Sequence, residues 1–109
     1  MSVKLRIDTR YNRMCIHRQA LKAIGDPSFL SLGYDPESKR LMVMSSIEDG
    51  KSLRVRHDSS GSVYVRSKPL LTGIRQVSHI LEHTGTYLVE GKVWSSILVF
   101  PLSEARIFS

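Results

Sequence analysis

The chain carries one pattern twice, and this repetition constrains the fold more than any other feature. Leu5-Arg6-Ile7 returns as Leu53-Arg54-Val55 at an offset of 48. With one residue inserted in the turn that follows, Asn12-Arg13-Met14-Cys15-Ile16 aligns with Gly61-Ser62-Val63-Tyr64-Val65 and Leu21 with Leu70, at an offset of 49. Further along, Phe29 to Tyr34 and Leu41 to Met44 correspond to Thr86 to Gly91 and Ile97 to Phe100. Self-similarity at a fixed period marks a structure assembled from repeated units. The 109 residues therefore read as a single domain of two related halves, 3–46 and 51–102.

Each half has the same local grammar. Val3-Lys4-Leu5-Arg6-Ile7-Asp8 alternates apolar and charged residues, as a strand with one buried face does, and this places Lys4 and Arg6 together on the open face. Thr9 to Asn12 reads as a turn, with Asn12 suited to a left-handed conformation, and Arg13 to His17 as the returning strand. Ala20, Leu21, Ala23 and Ile24 fall at helical spacing, and Gly25 followed by Asp26-Pro27 ends that helix. The strands Phe29 to Tyr34 and Arg40 to Met44 flank a turn-rich loop, and Ser45 to Gly50 is a short polar linker.

The second half repeats the order. Ser52 to His57 is the alternating strand, Asp58 to Gly61 the turn, and Val63 to Arg66 the return. Ser67 caps a helix with Pro69 in its first turn, and the spacing of Leu70, Leu71, Ile74, Val77, Ile80 and Leu81 carries that helix to about His83. Tyr87 to Val89 and Ile97 to Leu102 form the last strand pair, joined by Gly91 to Ser96. Ile107 and Phe108 in the tail are expected to dock on the core.

The charge follows the repeat. The formal net charge is +6, yet residues 1–25 hold six Lys and Arg against one acid, as do residues 51–75, a net +5 in each window. The remainder holds four Lys and Arg against eight acids, a net −4. Positive charge concentrated on matching segments favours an anionic partner. The apolar runs are strand-sized, far below the roughly 20 residues a bilayer requires, so no membrane association and a cytoplasmic location are expected. The single cysteine, Cys15, cannot form an intrachain disulfide and is expected to be buried and inert.

Catalytic and metal-binding patterns are sparse. There is no nucleophile elbow, no Gly-rich phosphate loop and no paired carboxylate arrangement, so neither enzymatic activity nor a cofactor is expected. His79 and His83 lie four apart on the expected second helix beside Glu82, which could face one metal ion, but no third ligand is specified. Of the eight aromatic residues, Tyr11 and Trp94 are the candidates for exposure. The others fall where core packing accounts for them rather than in the ladder of a single-strand binder.

The residues Ile7-Asp8, Arg13-Met14-Cys15-Ile16 and Ile24-Gly25 resemble the motif of the AbrB-like swapped-hairpin family, which includes transition-state regulators and MazE-type antitoxins. That motif runs basic strand, Asp-x-x-Gly-Arg-apolar-x-Ile-Pro, short helix, Leu-Gly, and the resemblance covers residues 3–44. Asn12 stands where the family has its turn glycine, His17 where it has its proline, and Asp26-Pro27-Ser28 replaces the Gly-Asp pair that commonly leads into the third strand. The resemblance implies that two hairpins exchange to complete one small barrel and that basic residues of both copies form one DNA-facing surface. This chain would then be a covalent pseudodimer, acting as a monomer or as a homodimer. The expected fold is α+β and mostly β, a small barrel or sandwich of about eight strands in two strand-turn-strand-helix-strand-strand halves.

The expected function is that of a small regulator-like duplex-DNA-binding protein, bacterial or of a mobile element. The resemblance implies DNA contact for Lys4, Arg6, Arg10, Arg13, Arg18 and Lys22, and the repeat adds Lys51, Arg54, Arg56, Arg66 and Lys68. Arginine suits this role because its planar fork can hold a phosphate or the O6/N7 edge of guanine through two hydrogen bonds, with Arg13 and Arg18 the expected base readers. The alternative is a protein-binding inhibitor or adaptor, such as an antitoxin or a phage protein blocking a nucleic-acid enzyme. Its docking surface would be the second helix, with Leu71, Ile74 and His79.

Overall fold

The computed structural model describes residues 2–57, 59 and 63–107. Phe108 and most of the turn expected at Asp58 to Gly61 lie outside the described residues. The elements in chain order are β1 (Ser2–Asp8), β2 (Arg13–Ile16), α1 (Arg18–Ala23), β3 (Phe29–Asp35), β4 (Arg40–Ser46), β5 (Leu53–Arg54), β6 (Arg56–His57), β7 (Val63–Arg66), α2 (Lys68–Ser78), β8 (Thr86–Trp94), β9 (Ile97–Pro101) and β10 (Arg106–Ile107), with a short 3₁₀ turn, Leu102–Glu104, before the last strand.

All strands belong to one antiparallel sheet in the order β5-β3-β4-β9-β8-β1-β2-β7-β6, with β10 added on β8. The two ends of that path, β5 and β6, are separated by Val55 alone. Leu53 to His57 is thus one bent strand, paired through β5 with β3 and through β6 with β7, while the Val55 amide donates to the Ser28 carbonyl (2.9 Å). The bend brings the sheet round into a nearly closed barrel, which leaves few edges to aggregate. The architecture is α+β and mostly β, as expected.

Alternation in β1 turns Val3, Leu5 and Ile7 inward, where they meet Met14, Ile16, Val63, Val65, Leu41, Val43, Val89, Leu98 and Phe100 in one core. Both helices bury an apolar stripe against that core, Ala20 and Leu21 from α1 and Leu71 and Ile74 from α2. At roughly 1.5–3 kcal/mol for each large aliphatic or aromatic side chain, this shared core is what holds the halves together. A hydrogen bond between the Tyr34 and Ser78 hydroxyls (2.6 Å) also ties β3 to the end of α2.

The helix ends follow from their residues. In α1, Nδ1 of His17 accepts from the Gln19 amide (3.3 Å) as N-cap. At the other end the amides of Gly25 and Asp26 return to the carbonyls of Lys22 and Leu21, the paired bonds of a Schellman cap. Gly25 there has φ +94. Ser67 Oγ caps α2 by accepting from the Leu70 amide (3.3 Å), with Pro69 in the first turn.

The second helix is shorter than its apolar spacing predicts. It stops at Ser78 because His79 turns left-handed (φ 54), and Arg75 Nε donates to the Leu81 carbonyl beyond the stop (3.0 Å). Leu81 is buried from a non-helical conformation of its own, φ 57. His79 and His83 therefore do not share a helix face; His79 instead lies 3.5 Å from Glu82. Leu71 and Ile74, expected as a docking surface, are core residues. The tail also differs from expectation, since Leu102 fills the core while Ile107 is exposed on β10.

The last hairpin corrects another boundary. β8 continues to Trp94 and β9 begins at Ile97, so the joining loop is Ser95-Ser96 alone, both left-handed at φ 49 and 64. Two left-handed residues define the hairpin turn that normally takes Asn-Gly, and serine carries no such signal. Replacing Ser95-Ser96 by Asn-Gly is expected to raise stability by about 1 kcal/mol, seen as a higher urea midpoint at unchanged slope. An unchanged midpoint would mean that the turn is not of this type. The β3–β4 hairpin uses a longer turn in which Asp35 accepts from Ser38 Oγ (2.7 Å) and the Glu37 amide (3.1 Å). Those bonds hold its carboxyl below the ordinary aspartate range, so their stabilisation is present above that range and is lost on acidification.

The pairing pattern relates the two halves by a pseudo-two-fold axis. β2 pairs with β7 and β4 with β9, each strand against its own counterpart. β1 pairs with β8 and β5 with β3, so the first strand of each half lies against the third strand of the other. The register also revises the alignment of the repeats. Cys15 faces Tyr64, Arg6 faces Cys15 and Arg56 faces Tyr64, which makes Arg56 rather than Arg54 the counterpart of Arg6. The first strands therefore match at an offset of 50, and the turn that follows is one residue shorter in the second half, not longer. In the tails the inward residues Leu41 and Val43 face Phe100 and Leu98, so Leu98 rather than Ile97 is the counterpart of Leu41.

Candidate nucleic-acid interface

Four adjacent strands, β1, β2, β7 and β6, form one outer wall of the barrel. Because β1 turns its apolar residues inward, Lys4 and Arg6 stand exposed outside. The same alternation in β2 buries Met14 and Ile16 and turns Arg13 and Cys15 outward, and in β7 it buries Val63 and Val65 and leaves Tyr64 and Arg66 outward. Arg6, Cys15, Tyr64 and Arg56 form one row across the four strands, and Arg13 faces Arg66 in the next. Cys15 is thus half-buried on this outer wall rather than a core thiol.

The electrostatics of the wall are one-signed. Among the described residues the acid–base ion pairs are Arg10 with Asp8 (3.5 Å) and His79 with Glu82, so Arg6, Arg13, Arg56 and Arg66 have no acidic partner there. Like charges directly opposite each other on neighbouring strands are destabilising. Here Arg13 and Arg66 both sit over the Tyr64 ring, with their guanidinium carbons 5.3 and 5.6 Å from its centroid. That stacking offsets part of the repulsion, at roughly 0.5–1 kcal/mol for each partly exposed pair. Arg13 Nε is shielded from solvent without a hydrogen-bond partner among the described residues.

The turn at one end of this wall is rigidly held. The Thr9 hydroxyl accepts from the Gly85 amide (2.9 Å) and lies within hydrogen-bond reach of the carbonyls of Gly85 (3.1 Å) and His83 (3.2 Å). The Thr9 amide also donates to the Gly85 carbonyl (3.0 Å). Asp8 accepts from the Arg10 amide and guanidinium. Arg10 is therefore partly committed within the protein, yet its side chain remains 48% exposed, beside an exposed Tyr11. Asn12, at φ 52, takes the left-handed turn conformation expected of it.

The other expected contact residues spread out from this wall. Arg54 is exposed at the bend, stacked over Phe29 (5.6 Å). With Arg18, His57 and Asp26 it lines a cleft of about 350 Å³ between α1 and the bent strand. Lys22, Lys51 and Lys68 are exposed on α1, on the linker and at the start of α2. Lys51 follows Asp49, which accepts from the amides of Lys51 and Ser52 (2.9 and 2.8 Å) and is thereby held below the ordinary carboxylate range.

Sequence reasoning missed the role of Tyr64 as the shared platform of two arginines and the outward position of Cys15. Strict alternation within Arg13 to Ile16 carried the signal for the second, since Met14 and Ile16 can face inward only if Cys15 does not. Comparison with known protein families, with curated proteins and with solved structures finds no match for this chain. No helix among the described residues is long and apolar enough to cross a membrane.

Proposed function

We propose that this protein binds duplex DNA through the outer wall of β1, β2, β7 and β6 and acts by occupancy, as a regulator does, in the cytoplasm. The observation that carries the reading is the convergence of Arg6, Arg13, Arg56 and Arg66 on one wall without acidic partners among the described residues. A protein tolerates facing like charges where an anion neutralises them, and duplex DNA supplies one negative charge per roughly 1.7 Å of its axis. Arg6 and Arg56 lie three strand spacings apart, about 14 Å, near the roughly 12 Å width of the major groove. Arg13, half-buried and with no hydrogen-bond partner for its Nε among the described residues, is the best placed to read a guanine edge. The exchange of first and third strands between the halves agrees with the swapped-hairpin resemblance read from residues 3–44.

The test uses the protein's own single cysteine. Cys15 lies between Arg6 and Tyr64 in the row, so saturating duplex is expected to slow its alkylation at least tenfold, while anisotropy of a labelled duplex weakens linearly on a log–log salt plot. An alkylation rate unchanged by saturating DNA would move binding off this wall, and no binding at low salt would end the reading.

The protein-partner alternative has a different observation in its favour. Trp94, 69% exposed, lines a cleft of about 750 Å³ on β8 and β9 with Val99, Pro101, Arg40 and Glu104. As the only tryptophan, it reports on that cleft through its emission, which is expected to stay constant during a DNA titration.

A further inference from the structure

We propose that the duplex target is asymmetric: one chain reads one non-palindromic site, with its strongest contacts at the end served by the β1–β2 turn. The inference rests on the duplex reading above. A protein with true two-fold symmetry presents the same side chains twice, and its site mirrors that symmetry. Here the backbone keeps the two-fold relation while the chemistry at the wall does not.

The axis passes through the facing pair Cys15 and Tyr64, which are already different residues. Arg6 and Arg56 preserve the symmetry on either side. Beyond them it breaks. On one side Arg13 and Arg66 face each other over Tyr64, with Arg10 and Tyr11 in the adjoining turn. In sequence, at the offset of 49 that relates β2 to β7, Arg13 and Arg66 correspond to Ser62 and His17, and the His17 imidazole already caps α1. In sequence the second turn is Asp58-Ser59-Ser60-Gly61-Ser62, without a cation. One end of the wall therefore gathers three arginines, and the related end has none at the corresponding positions. The bonds of Thr9 to Gly85 fix the arginine-bearing turn to the barrel, so the difference is built into a rigid element.

The helices are not charge-matched either. Their N-caps His17 and Ser67 and the buried pairs Leu21 with Leu71 and Ile24 with Ile74 align them at an offset of 50, so Arg18 corresponds to Lys68, while Lys22 corresponds to Thr72 and Arg75 to Gly25. No rotation of the chain about its axis reproduces the pattern of charge.

Selecting duplexes from a random library with the full chain, then weighing the complex formed with the winning site, tests this directly. The expected result is a consensus without dyad symmetry bound by one chain per duplex. Arg13→Ala is expected to relax base preference at one end only, with a loss of about 10- to 100-fold there. A palindromic consensus from the parent protein, or two chains per site, would overturn the asymmetry while leaving DNA binding intact. Failure of every library duplex to bind at low salt would instead overturn the duplex reading itself.

Discussion

Gly91→Ala is expected to remove about 3–5 kcal/mol of stability, the upper end of what overpacking costs and beyond. Gly91 sits buried in β8 opposite Val3 of β1. A Cβ added there would overlap the Val99 carbonyl oxygen and approach Phe100 Cδ1 to 2.6 Å. Neither neighbour can yield cheaply. Val99 is held on both sides, facing Lys92 of β8 and Met42 of β4, and Phe100 is fully buried at the centre of the core. A domain of this kind has roughly 5–15 kcal/mol in total, so the variant should unfold at a much lower urea concentration or fail to fold at ambient temperature. Gly33→Ala is the control, because its Cβ would meet only Met42 Cε at an ordinary 3.9 Å, and its midpoint should move by less than the equivalent of 0.5 kcal/mol. Equal behaviour of the two variants would mean that β8 and β9 do not approach as closely as this structure has them.

The sequence revealed elements whose own residues determine them. The alternation of Val3 to Asp8, the left-handed turn at Asn12, the Gly25 stop and the Ser67 and Pro69 start each rest on one local rule, and each stands where that rule placed it. Features decided by distant pairing were not legible. A period-two strand looks the same after a slip of two residues, so Leu53 to His57 could be matched to β1 at an offset of 48 or 50, and only the facing of Arg56 with Tyr64 decides between them. The break at Val55 has no glycine or proline to announce it; it exists because one strand must pair with β3 and β7 at once. Likewise Ile80 and Leu81 continue a helical spacing, but the core accepts Leu81 only after His79 has left the helix. Of the candidate interface, sequence supplied the arginines and their outward direction. Their convergence about Tyr64 depended on β2 and β7 becoming neighbours, which no local pattern encodes.

Replacing Arg6, Arg13, Arg56 and Arg66 together by alanine is expected to weaken duplex binding by about 10³-fold near 0.1 M salt. If each arginine neutralises one phosphate, its loss reduces the slope of log affinity against log salt by about 0.9, and four such losses by about 3.6. The same substitution separates binding from folding. All four side chains lie on the outer wall, and the Arg13–Arg66 pair sets like charges opposite one another, so their removal forfeits the stacking on Tyr64 but also relieves repulsion. The variant's urea midpoint should therefore move little, within the equivalent of about 1 kcal/mol, while affinity collapses. Restoring Arg13 alone should recover base preference at one end of the site, whereas placing lysine instead of the native Arg6 should recover affinity without preference, since an ammonium supplies charge without the planar fork. Should the quadruple variant keep both its affinity and its salt slope, the wall of β1, β2, β7 and β6 is not where DNA lies, and the cleft formed by Arg18, Arg54 and His57 becomes the next cationic surface to test.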